Sequence, residues 1–297
     1  MQGGPKLILW PGVAMPDGIF RTAVSGGMTR TYTFRSLMAG VMTGMTALAC
    51  VMAGTGTAAA TSTMRIAFED REQYPYYLGE GDEIDWERPG ISVEIVKKAA
   101  EDLGIEVVFM RQPWKRCLMS LGSGQADAIF NSSFVKERMY YGVYPGRTQV
   151  PDPNFRIATI SYSLYRLQGS GVSWDGHHLT GVDGPIGAVR GYSIVEDLKR
   201  MGIKLEEVGS SRQNLIKLGI GRVSGAVLQT VTGDQLLKSD AFPTIERVDP
   251  PLVTKAYYLV MSRSFVRENP EMAAKFWSKI AELRDSMTAQ LMPKYTD

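Results

Sequence analysis

The sequence predicts an α/β protein of two lobes, each a mainly parallel sheet flanked by helices, joined by two extended crossings. Three observations carry that reading. Short apolar runs alternate with amphipathic helical patterns at the spacing of right-handed parallel crossovers. The phrase LGSGQADAIF (Leu121 to Phe130) is echoed by LGIGRVSGAVL (Leu218 to Leu228), each closing a helix with two glycines before a short buried strand. Two alternating extended segments, Arg156 to Tyr165 and Lys255 to Ser262, follow the first and second units and make a hinge.

The elements follow in order. Met64 to Phe68 is an apolar strand, and a polar, aromatic-rich loop runs on to Arg88. SVEIVKKAAEDLG sets Val93, Val96, Ala99, Ala100 and Leu103 on one helical face, with Ser92 as its cap and Gly104 as its stop. Ile105 to Phe109 is a strand, Trp114 to Leu121 a helix halted by Gly122, and Ala126 to Phe130 the third strand. The pattern then restarts. Ile186 to Val189 is a strand, and Gly191 opens a helix ending near Gly202. Lys204 to Val208, with few apolar residues, reads as an edge strand. A helix from Arg212 to Leu218 and the strand Gly225 to Gln229 complete the unit. The last helix starts at Asn269-Pro270, a cap followed by proline, and carries Ala273, Phe276, Trp277, Ile280 and Leu283 as its apolar stripe.

The first 60 residues read differently. Arg30 and Arg35 precede an apolar run from Leu37 to Ala53, and Ala58 and Ala60 form an A-x-A arrangement, the pattern of a secretory signal peptide cut after Ala60. Met28 would serve as its start. An uncleaved anchor is an alternative, although the run is short against the ~20 apolar residues of a spanning helix. Lipid attachment at Cys50, behind Ala47-Leu48-Ala49, is another. Four of the 33 basic side chains and one of the 31 acidic ones lie in residues 1–60, so the remainder holds 29 basic and 30 acidic groups and a net charge of −1. That balance does not suit binding to nucleic acid or an anionic membrane surface. Cleavage leaves Cys117 as the sole cysteine, placed as a small buried hydrophobe in a helix.

The stretch from Pro113 to Pro145, PWKRCLMSLGSGQADAIFNSSFVKERMYYGVYP, is the most informative. It places polar groups and Arg138 at the carboxyl end of a buried strand, where open α/β sheets bind ligands. It resembles the first lobe of the family 3 periplasmic solute-binding proteins of ABC importers, the polar amino acid-binding type. The likeness extends in element order from about residue 64 to the C-terminus. It implies the two-lobed periplasmic-binding-protein-like fold, with a first lobe over 61–160, a second over 161–254, and a return through 255–297. It also implies a monomer that captures a small carboxylate-bearing solute and presents it to a permease in the inner membrane, without a cofactor.

By the same resemblance, Arg138 holds the solute carboxylate, and a guanidinium suits this because it presents a planar fork and stays charged when desolvated. Asn131 and Ser133 offer polar groups to the head group, and Trp114 packs on the solute. Asp70 and Tyr76, in the loop after the first strand, would meet the solute's side chain. Gly191, Tyr192 and Ser193, at a strand end entering a helix, would meet it from the second lobe. Lys115 and Arg116 are neighbours, of which only one can face the cleft. Where binders of α-amino acids carry an aspartate beyond the last second-lobe strand, this chain has Thr230. A hydroxyl brings no charge there, and Asp234 lies one turn further on.

Other chemistries have little in the sequence. The two histidines, His177 and His178, are adjacent in a loop, a poor arrangement for one metal. Neither a phosphate-cradling G-x-x-x-x-G-K-[ST] nor a G-x-S-x-G elbow is present. A signalling protein without a permease would use the same cleft. A dehydratase-like enzyme on the scaffold would need a cleft acid, for which Glu69, Asp70 and Glu94 are the candidates.

Overall fold

The structure, a computed structural model, describes residues 63–146 and 149–296. The signal-peptide pattern, the Ala60 cut, Met28 and Cys50 lie outside the described residues. Ten strands and seven helices follow one another along the described chain. Eight of the strands form one sheet in the order β2-β1-β3-β10-β4-β9-β7-β8. The first half holds β1 (Thr63–Glu69), β2 (Glu106–Gln112) and β3 (Ala128–Ser133), all parallel. The second holds β7 (Ile186–Val189), β8 (Leu205–Val208) and β9 (Gly225–Gln229), again parallel, with β8 at the edge. β5 (Ser173–Trp174) and β6 (Leu179–Thr180) form a separate small hairpin.

Two antiparallel strands join the halves. β4 (Ala158–Leu167) pairs with β9 through Tyr162 to Tyr165, and β10 (Ile245–Met261) pairs with β3 through its last residues. They pair with each other on both sides of a register shift between Val248 and Val253. The sequence reading began the second crossing at Lys255. It starts ten residues earlier because Ile245 to Val248 also pair with β4, and Pro250 and Pro251, which donate no ladder hydrogen bond, sit at the shift between the two paired stretches. The result is the two-lobed fold expected, with a two-strand hinge.

The helices cover the sheet. α1 (Ile91–Asp102) buries Val93, Ile95, Val96, Ala99 and Ala100. Its N-cap is Gly90, not Ser92. Gly90 adopts φ 109°, and a Cβ there would stand 2.4 Å from Tyr77 Cα, so close backbone packing sets the helix start. Ser92, just inside, donates its hydroxyl to Asn131 Oδ1 at 3.0 Å. α2 (Trp114–Ser123) passes through Gly122 and stops at Gly124, whose φ of 74° supplies the left-handed cap. Cys117 on this helix is fully buried, its thiol donating to the Gln112 carbonyl at 3.3 Å, and burial pushes its pKa up.

In the second lobe, α3 (Ser193–Arg200), α4 (Ser211–Gly219) and α5 (Thr230–Leu237) follow β7, β8 and β9. α6 (Arg263–Glu268) leads into α7 (Pro270–Thr296), which buries Ala273, Phe276 and Ile280 against the first lobe. Trp277 anchors α7 to β10 by donating to the Leu259 carbonyl at 2.9 Å.

Candidate functional site

Parallel strands within each half put all their carboxyl ends on one side. The ends of β1 and β3 meet those of β7 and β9 across a narrow cleft, with β4 and β10 as its floor. Groups at these ends enclose a void of about 10 Å³, roughly the space one water needs.

Arg138 lies in a 3-10 turn, Lys136–Tyr140, just beyond β3. It is 6% exposed and has no carboxylate within salt-bridge distance among the described residues. Its Nη1 donates to the Ser133 carbonyl at 2.7 Å and to Ser133 Oγ at 3.1 Å. Nη2 donates to the Gly191 carbonyl at 3.0 Å, and the guanidinium carbon sits 5.1 Å from the centre of the Trp114 ring. All of these partners are neutral. A buried charge is ordinarily paired, so a buried cation left with dipoles and a ring face is poised for an anion.

Glu69, the last residue of β1, is the opposite case. It is 4% exposed, lines the same void, and also has no partner of opposite charge within salt-bridge distance among the described residues. Oε2 accepts from Tyr77 at 3.0 Å and from Tyr192 at 2.6 Å. Burial raises its pKa from 4.5 to about 7, against the opposing effect of the two phenol donors. The cleft therefore holds one cation and one carboxyl group, each without a counter-charge.

A bulge sets the geometry between them. Ser132 faces Tyr258 and Ile129 faces Val260, so Phe130 and Asn131 together oppose Leu259. Asn131 takes a positive φ of 53°, which asparagine tolerates better than most residues. Its amide donates to Gln73 Oε1 at 2.9 Å and its oxygen accepts from Ser92. Asn131 and Ser133 thus belong to the strand itself and not to a loop after it. The floor is phenolic. Tyr162 and Tyr257 hydroxyls lie 2.6 Å apart, and the Gln229 amide reaches Tyr257 at 3.3 Å. A hydroxyl relay closes one side: Arg138 donates to Ser133, Ser133 donates to Ser193 at 2.7 Å, and Lys255 donates to Ser193 at 3.0 Å. Lys255 also pairs with Asp197.

Of the residues singled out from sequence, Arg138, Asn131, Ser133, Trp114, Tyr192 and Ser193 line this void. Gly191 contributes its carbonyl to Arg138. Asp70 lies at the mouth, on a flanking cavity of about 230 Å³ shared with Trp114, Lys115 and Arg190. Two lie elsewhere. Tyr76 turns its hydroxyl to the Thr159 carbonyl at 3.3 Å and lines a cavity against α7. Thr230 is held by Ser163 at 2.8 Å, at the start of α5. Glu94 is tied to Lys294 and Tyr295. Asp234 accepts from Tyr165 at 2.9 Å and pairs with Arg247.

Gln73, Tyr77, Tyr162, Gln229 and Tyr257 line the void without having been singled out. Tyr162 and Tyr257 fall on the two crossings, and Gln229 ends the strand GAVLQ, so strand-end position was the available signal for one of them. Among the described residues, no three His, Cys, Asp or Glu side chains stand close enough to hold a metal.

Residues 65–141 match the model of bacterial extracellular solute-binding proteins, family 3. Solved structures agree in fold. A histidine kinase sensor domain with similarity to periplasmic binding proteins aligns with TM-score 0.64 and 18% identity, over 79% of this chain and 96% of that one. An ancestral arginine-binding protein bound to glutamine aligns with TM-score 0.60 and 16% identity, over 79% and 98%. The GluR0 ligand-binding core from Nostoc punctiforme, in complex with L-glutamate, aligns with TM-score 0.61 and 14% identity, over 79% and 99%. A comparison with curated proteins finds no match. The chain resembles the family 3 solute-binding proteins, and its fold is that of two-lobed binding proteins.

Proposed function

We propose that this protein is a secreted or periplasmic solute-binding protein. It captures a small, amino acid-like solute between its lobes and presents it to an ABC importer as a monomer. The lobe boundaries proposed are those of the sequence reading, 61–160 with 255–297 against 161–254. The single observation that carries the reading is Arg138: a buried guanidinium at a strand end, bonded to neutral groups only, facing an interlobe void. A solute carboxylate would give it the charged partner it lacks, a bond worth roughly 1.5–3 kcal/mol. Glu69 would meet a hydrogen-bond donor of the same solute from the other side. This replaces Asp70 and Tyr76 as the contacts we propose at the end of the first strand, and it leaves Thr230 without that task.

The solute touches both lobes only when they are closed, so binding favours the closed form. The likeness to a sensor domain supports a second reading, a signalling protein with the same cleft. Thermal melting with a panel of amino acids, dicarboxylates and small peptides tests the binding. A true solute at a hundredfold excess over its Kd stabilises the protein by about 2.7 kcal/mol, and Arg138→Ala should lose that shift. A solute that shifts both proteins equally would remove Arg138 from the site. A panel without effect on the native protein would count against the amino acid-like class.

A further inference from the structure

We propose that Gly191 and Tyr192 hold the lobes closed by taking the contacts a solute would make, and that Tyr192 thereby sets which solutes enter. Three observations meet here. First, the void of about 10 Å³ is far below the ~300 Å³ at the lower end of small-molecule sites, yet the Arg138 guanidinium and the Glu69 carboxyl group both face it. Second, two adjacent second-lobe residues answer those two groups. The Gly191 carbonyl accepts from Arg138 at 3.0 Å, and the Tyr192 hydroxyl donates to Glu69 at 2.6 Å. An acceptor for the cation and a donor for the carboxyl group are the two polar ends of an amino acid-like solute, here supplied by the chain itself. Third, the backbone is bent to do this. Gly191 holds φ 79°, a conformation side chains rarely adopt, and so turns its carbonyl to the first lobe.

Tyr192 also stands between larger spaces. It borders the void and a cavity of about 340 Å³ on the α3 side. Glu69 and Trp114 border the void and the cavity of about 230 Å³ on the other. Tyr192 thus stands between the void and the α3-side space, and Glu69 and Trp114 stand between the void and the other. A solute must supply its own donor to Glu69 and its own acceptor to Arg138 to displace the latch. A molecule with a carboxylate alone replaces one contact and loses the other, so the latch selects for solutes carrying both. The inference of selection rests on the cleft being the solute site; the latch itself does not.

Small-angle X-ray scattering of the empty full chain tests the latch without any solute. The native protein should scatter as the closed form, and Tyr192→Phe, which keeps the ring and removes the donor, should show a larger radius of gyration. Gly191→Ala, which displaces the carbonyl, should do the same. A native protein already open, or a Tyr192→Phe protein as compact as the native one, would overturn the proposal. Titration with whichever panel member binds gives the second readout. An internal competitor, once removed, leaves binding about tenfold tighter, from the ~1.5 kcal/mol of a charge-assisted bond. An ordinary solute contact, once removed, leaves it weaker, and weaker binding would refute the competitor role. Scattering that changes as expected while no panel member binds would leave the latch standing and count against the amino acid-like class of solute.

Discussion

The two sides of the cleft are chemically unlike. The first lobe brings a buried cation and a buried carboxyl group to its strand ends, Arg138 after β3 and Glu69 on β1, each without a counter-charge among the described residues. The second lobe brings neutral groups: the Gly191 carbonyl, the Tyr192 and Ser193 hydroxyls and the Gln229 amide. Desolvating a charge costs far more than desolvating a neutral polar group, which costs about 1–3 kcal/mol when it is left unpaired. On our reading this division lets the first lobe set affinity and the second lobe complete the enclosure.

The largest effect should come from the charged side. Arg138→Ala is expected to weaken solute binding by about 3 kcal/mol, roughly a hundredfold, since truncating one member of a buried charge pair costs ~2–5 kcal/mol. Calorimetric titration checks this, and a loss under fivefold would erase the contrast between the lobes.

Glu69 comes next, through pH. Its pKa is raised by burial from 4.5 to about 7 in the folded protein. The folded chain therefore binds this proton more tightly than the unfolded chain. The group favours folding most at acidic pH, and its contribution falls as pH rises from about 4.5 to about 7, then levels. The span is at most about 3 kcal/mol. Denaturant melts of native protein and Glu69→Gln should differ in slope over that window alone, and parallel curves would contradict it.

Packing behind Glu69 gives a third test. Gly90→Ala must force a side chain against the Tyr77 backbone at a φ of 109°, where strain costs about 1–3 kcal/mol. It should lower the melting temperature and loosen Tyr77, which holds Glu69. Unchanged melting would mean that this loop relaxes freely. The smallest effect belongs to the neutral side. Ser193→Ala should weaken solute binding by about 1 kcal/mol or less. A loss equal to that of Arg138→Ala would show that both lobes contribute alike.

Much of this was legible in the chain. The strands of both units, the edge position of β8, and the α7 start at Pro270 follow from apolar runs and caps that act over a few residues. Arg138 was legible because one short turn separates it from a buried strand. Ser92 was misread because Asn-like and Ser-like groups at helix starts serve either as caps or as partners to distant side chains, and here Asn131 is 39 residues away. Asp70 was favoured over Glu69 because nothing local shows where β1 ends. Its ladder with β2 runs through Glu69 and Gln112, which turns Glu69 into the cleft.

By itself, the sequence determined the order of the main strands and helices, the two-lobed plan and the cation just beyond the third strand, because periodicity, glycine stops and strand-end placement are local matters. Only the tertiary structure decided that Tyr162, Tyr257 and Gln229 share one floor, that Arg138 and Glu69 face one void, and that Gly191 and Tyr192 reach both. The reason is pairing. β10 binds β3 with one end and β4 with the other, so residues almost a hundred positions apart become neighbours. No pattern within a single segment records which partner a long strand will take.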